Sequence, residues 1–193
     1  MVRMGPRFKY SDNMKGSPMV SMLKRIIGVT GFLAVTLTVP VAASAAPAGA
    51  AGTAPRCTTN RLAITAGQDD GAAGTLYLPL YFTNTSSKAC VIYGYPRVAY
   101  VTAPHGQQVN NEAVPDVIGT PQHLTLVPTA RAVAVLRMPQ AGNYDEETCR
   151  PVPVAGIRVA PPADRTTVFI GHPNTVCSVN GIAEPGIRAL ELA

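Results

Sequence analysis

Four cysteines, three histidines and two clusters of acids are the residues in this 193-residue chain with the types to do chemistry. Cys57, Cys90, Cys149 and Cys177 are separated by 33, 59 and 28 positions, with no Cys-x-x-Cys pair among them. A structural zinc site is built from closely paired ligands, so this spacing argues against a Cys₄ metal centre. An even number of cysteines in an exported chain reads instead as two disulfides. Of the three possible pairings, Cys57–Cys90 and Cys149–Cys177 close the most local loops, and each then stabilises the fold by about 3–4 kcal/mol in the chain-entropy picture.

Covalent catalysis needs a nucleophile beside a base. No Gly-x-Ser-x-Gly elbow is present, and Ser86, Ser87 and Ser178 sit in turn or post-cysteine contexts. His105, His123 and His172 never fall at ligand spacing, and two of them flank Gly or Pro turns. A copper carrier draws on Met and His clusters, whereas Met138 is the single methionine after residue 45. Asp69-Asp70 and Asp145-Glu146-Glu147 lack the alternating oxygens of a calcium loop and read as solvated charge. Glycosidase carboxylates have candidates here but no motif. The expectation is a protein with no catalytic, cofactor or metal residues. The tyrosines are the remaining functional feature: Tyr77, Tyr81, Tyr93 and Tyr100 are expected to offer a binding face, since rings with one polar edge serve recognition surfaces. Tyr95, directly before Pro96, is assigned to structure.

These residues must be positioned by strands. Alternation puts Leu62 and Ile64 on one face of a strand over 61–66. Over Thr75 to Asn84, Leu76, Leu78, Leu80 and Phe82 point one way, and Tyr77, Pro79, Tyr81 and Thr83 the other. Pro79 cannot donate to a ladder, which predicts an edge strand or a bulge there. Asp69-Asp70-Gly71 with Gly74 predicts a turn, as do Asn84 to Lys88 and Pro104-His105-Gly106. Further strands are expected at Ala89 to Tyr93, Arg97 to Thr102, His123 to Val127, Arg131 to Met138, Gly156 to Ala160, Thr166 to Gly171 and Ile187 to Leu192. Val109 to Pro121 shows no period and reads as a long connection. Helical spacing is absent beyond one turn at Asp145 to Cys149. Short strands punctuated by Pro, Gly and Asn predict an all-β, immunoglobulin-like antiparallel sandwich with two disulfides, a closed β-barrel being the alternative. No tryptophan is available for the buried position such domains often carry.

The net charge of +5 is unevenly placed. Six basic residues and one acid precede residue 46, and ten of each sign follow. Lys24-Arg25, the apolar run Ile26 to Val41 and Ala43-Ser44-Ala45 have the layout of a secretory signal cleaved after Ala45. The run is short for a membrane span, so no stable span is expected after cleavage. Residues 1–21 look like an early start, with Met19 or Met22 giving a more ordinary signal. Residues 46–56 are small and read as a flexible linker, and 57–193 as a single domain. The neutral remainder lacks a Lys/Arg run and excludes nucleic acid.

The order Cys57, Gly74-Thr75-Leu76-Tyr77, Thr83-Asn84-Thr85, Cys90-Val91-Ile92-Tyr93-Gly94-Tyr95-Pro96, Cys149 and Ile157-Arg158-Val159-Ala160-Pro161-Pro162 resembles a secreted actinobacterial family, the domain of unknown function numbered 4232. Its most specific piece is Cys-x-hydrophobic-x-Gly-Tyr-Pro, and the resemblance spans about residues 57–193. It implies export, a β-sandwich and two disulfides, and brings no established activity or catalytic residue. Many relatives carry a lipidated cysteine after the signal. This chain departs from that, since Arg56 precedes Cys57 and the apolar run ends sixteen residues earlier. The expected function is therefore a secreted, non-enzymatic module bound to a cell-wall glycan or a protein of the envelope. An extracellular hydrolase with an unrecognised site and a self-associating envelope protein are the rivals.

Overall fold

The computed structural model describes residues 54–193. The expected signal segment 1–45 and most of the expected linker lie outside them. Among the described residues there are thirteen strands: β1 Leu62–Ala66, β2 Asp70–Ala72, β3 Thr75–Asn84, β4 Cys90–Ile92, β5 Arg97–Val101, β6 Gln108–Val109, β7 Val114–Pro115, β8 Leu124–Leu126, β9 Arg131–Pro139, β10 Pro151–Ala160, β11 Val168–Cys177, β12 Gly186–Ile187 and β13 Glu191–Leu192. One helical turn, α1 Glu146–Cys149, precedes β10. The large sheet runs β1-β3-β9-β12-β7, with β2 continuing along β3 and β13 along β9. The small sheet runs β11-β10-β5-β6, and β4 pairs with β8 as a separate ribbon. These sheets do not close into a barrel, and the fold is an all-β sandwich.

Strand alternation builds the core. On β3, Leu78, Leu80 and Phe82 are buried, and their partners across the antiparallel ladder to β9 are Leu136, Ala134 and Ala132. Leu80 and Phe82 stand beside the small Ala134 and Ala132, leaving room for the opposing layer. Val98 and Tyr100 on β5, Ile157 and Val159 on β10, and Ile92, Leu124 and Leu126 from the ribbon complete one continuous core. The disulfides Cys57–Cys90 and Cys149–Cys177 are both formed and account for all four cysteines.

Pro79 lies in an interior strand rather than at an edge. β1 pairs with Leu80 to Asn84 and β2 with Thr75 to Tyr77, so the neighbour on that side is broken opposite Pro79. Its carbonyl accepts from the Gly67 amide there, and in an antiparallel ladder the N–H of the same residue aims at the same gap. Gly67 stands opposite Pro79 in the continuing register, so the missing donor forfeits only the reciprocal bond to Gly67, at the point where β1 ends. Gly67 is required at this approach, because a Cβ would come within 2.9 Å of Pro79 Cγ and of the Tyr81 ring.

Several expectations are corrected. Of Asp69-Asp70-Gly71 and Gly74, read as turn, Asp70 and Gly71 lie in strand β2, and the reversal falls on Ala73-Gly74. The expected connection Val109 to Pro121 contains the end of β6 and all of β7, two-residue strands too short to show a period. β10 begins at Pro151 and β11 continues to Cys177, past Gly171 and Pro173. The prolines are tolerated because β11 is an edge, and β5 reaches only Gly156 to Ala160 of β10. The single terminal strand over Ile187 to Leu192 is two short pieces, β12 and β13. Pro55 and Arg56, expected in the linker, already pair with Val91 beside β4.

Candidate functional site

Side chains opposite the core on β3 and β9 form the outer face of the large sheet. Tyr77 and Tyr81 stand there about 13 Å apart, four strand residues at 3.3 Å each, with Pro79 between them. Across the ladder their partners are Arg137, Val135 and Val133. The Arg131 guanidinium lies 4.6 Å from the centroid of the Tyr81 ring, and Arg188 lies 5.9 Å from that of Tyr77. A cation over a ring face is held by the ring quadrupole. Arg137 donates from Nε and Nη2 to the half-buried Asp116 carboxylate, 3.0 Å at the closest. That hydrogen bond, with the carboxylate charge, raises the Arg137 pKa.

The other two expected face residues are elsewhere. Tyr100 is only 2% exposed. It shares the inward side of β5 with Val98, because alternation turns both into the sandwich. Burial pushes its phenol pKa up, and its hydroxyl finds no partner among the described residues. Tyr100 therefore belongs to the core and leaves the binding face. Tyr93 is 48% exposed but follows β4, where its ring stacks on His123 with centroids 4.2 Å apart. β4 and β8 place Ile92 opposite Leu124, so Tyr93 and His123 meet as the next pair beyond the ladder. They border a small cavity of about 300 Å³ beside the Cys57–Cys90 bridge. Tyr95 is half-buried against the core.

His105, His123 and His172 lie on different elements, in the β5–β6 turn, before β8 and in β11. Among the described residues no cluster of three His, Cys, Asp or Glu is assembled. His105 is in the exposed turn, His123 is stacked on Tyr93, and His172 Nε2 is 3.7 Å from Asp69. Ser86 donates to Asn84 and Lys88, and Ser178 to the Arg150 carbonyl, so both hydroxyls serve turns. A cavity of about 840 Å³ is an open groove between α1 and the Pro-rich halves of β10 and β11. Tyr144, Glu146, Pro151, Pro153 and Pro173 line it, with Glu146 its one charged residue. It therefore offers no acid–base pair. Three prolines around the second disulfide were its trace in the sequence.

These features define an all-β sandwich with two disulfides and a Tyr/Arg outer face. The chain belongs to the family described as domain of unknown function DUF4232, whose model matches residues 57–187. A comparison with curated proteins finds no match. Among the described residues no helix is long and apolar enough to cross a membrane.

Proposed function

We propose that the protein is an exported, non-enzymatic binding module that contacts a protein of the cell envelope through the outer face of its large sheet. The observation that carries this reading is that Tyr81 and Tyr77 each already have a guanidinium over the ring. A sugar stacking on those rings has to displace Arg131 or Arg188. A protein surface can use ring edges, hydroxyls and guanidiniums together, and Tyr and Arg dominate the energetics of such interfaces. Val133, Val135 and Pro79 supply apolar area between the two Tyr/Arg pairs.

The test compares the wild type with a Tyr77→Ala, Tyr81→Ala double variant. Binding is measured against fractionated envelope proteins and a glycan array, with thermal melts as a folding control. Saturable protein binding that weakens at least tenfold in the double variant, while Tyr93→Ala leaves it unchanged, is expected. Unchanged binding removes this face, and glycan binding alone replaces the protein partner with a polymer.

A further inference from the structure

The outer face of the small sheet carries a second site, independent of the tyrosines. Pairing sets Arg158 of β10 between Ala99 of β5 and Phe169 of β11, and Arg97 of β5 opposite Ala160. The small side chain of Ala99 leaves a hollow of about 320 Å³. Arg97, Arg158 and Arg165 line it together with Gln108, Glu112 and Thr167. Arg97 donates to both oxygens of Glu112, from Nε at 3.1 Å and from Nη2 at 2.5 Å. The hydrogen bond from Arg97 lowers the Glu112 pKa, with a smaller contribution from the charge of Arg158, which places Arg158 within electrostatic reach of the same carboxylate. Glu112 can neutralise only one of the three cations. Neither Arg158 nor Arg165 has an ion-pair partner among the described residues.

The loop that brings Arg165 is itself tied down. The neighbouring Asp164 carboxylate accepts from the Thr59 amide at 2.7 Å, from the Thr59 hydroxyl at 2.8 Å, and from the Thr166 amide at 3.0 Å. Arg165 thus starts from a positioned backbone. Two guanidiniums without an ion-pair partner thus line one polar hollow with Arg97, an arrangement that an anion seated there would complete. The planar fork of arginine matches the oxygens of phosphate and carboxylate.

We infer that the hollow bounded by Arg97, Arg158, Arg165 and Thr167 binds an oxyanion of the phosphate type, either free or carried on an anionic polymer. Arg158 and Arg165 donate to its oxygens, Thr167 and Gln108 complete the polar rim, and Glu112 holds Arg97 beside it.

Calorimetric titration of the full chain with inorganic phosphate and with a glycerol-phosphate oligomer tests this. Saturable binding is expected, weakened at least tenfold by Arg158→Gln or by Arg165→Gln. Lys88→Gln, in the exposed turn after β3, leaves it unchanged. Glu112→Gln tightens binding by freeing Arg97 and removing a negative charge, which a merely structural role for Glu112 would not do. An oligomer that binds more than tenfold tighter than phosphate identifies a polymer as the source; comparable affinities identify the free anion. Absence of saturation with both probes, or equal weakening by Arg158→Gln and Lys88→Gln, overturns the site.

Discussion

Asn84 carries the greatest polar burden of any single residue in the core. It is completely buried, yet its amide is fully used. Nδ2 donates to the Lys88 carbonyl at 2.9 Å and to Leu126 at 2.8 Å, while Oδ1 accepts from the Ser86 amide and hydroxyl. One side chain therefore ties the end of β3, the following turn and β8 together. The sequence marks it only as the middle of Thr83-Asn84-Thr85, a turn signal, because the Leu126 partner is 42 positions away. Asn84→Ala removes the donor to the buried Leu126 carbonyl and the acceptor for the Ser86 amide, and is expected to destabilise by about 2–4 kcal/mol, since each unpaired buried group costs about 1–3. Asn84→Asp, which keeps the acceptor but loses both donors, is expected to be no better. Urea unfolding monitored by circular dichroism checks both. Asn110 is a second such anchor that sequence reasoning passed over. It sits at a positive φ of 62° and donates to the carbonyls of Cys177 and Ile182.

Alternation was most legible at the scale of single elements where strands are long. β3 begins and ends where its side-chain pattern places it, and Leu78, Leu80 and Phe82 are buried as that pattern requires. Strands of two residues left no trace, and β10 and β11 extended through prolines that normally argue against a strand. Their hairpin also contains an irregularity between Val154 and Gly156. At Gly156 a Cβ would strike the backbone carbonyl of Ile170 and crowd the amide of His172. Gly156→Val therefore forces the two strands apart, and a loss of about 1–3 kcal/mol is expected from such overpacking. A lower thermal midpoint together with faster amide exchange in β10 and β11, but not in β3 and β9, checks that the damage stays within the small sheet.

Across the whole molecule, distant segments are closed by few polar links. Asp164 bonds Thr59 across 105 positions, joining the segment after Cys57 to the loop between β10 and β11. The backbone amide of Thr59, then that of Thr166, holds its carboxyl pKa down to about 2, from an ordinary 3.8. A carboxylate lowered by folding contributes stability above its unfolded value and loses it as the proton binds. Its contribution is thus complete above about pH 4 and falls away toward pH 2. Because the group is largely in water, the effect is small in magnitude. The stability difference between wild type and Asp164→Asn is expected to be constant from pH 7 to 5 and to shrink as the pH falls from about 4 to about 2. Thermal melts across that range check the window, and a difference that grows in acid contradicts the assignment.

By itself the sequence determined the local quantities. Period-two alternation, turn residues and an even set of cysteines at local spacing were enough for an antiparallel all-β fold with Cys57–Cys90 and Cys149–Cys177 joined, with sandwich and closed barrel both still open. Each depends on residues near one another in the chain. Only the tertiary structure decided which side chains share a surface. It left Tyr77 and Tyr81 together under Arg188 and Arg131, sent Tyr100 into the core, and paired Tyr93 with His123. It also drew Arg97, Arg158 and Arg165 to one hollow. Strand neighbours and their register are chosen by long-range closure and core packing, and a one-residue slip would turn each of these side chains to the opposite face.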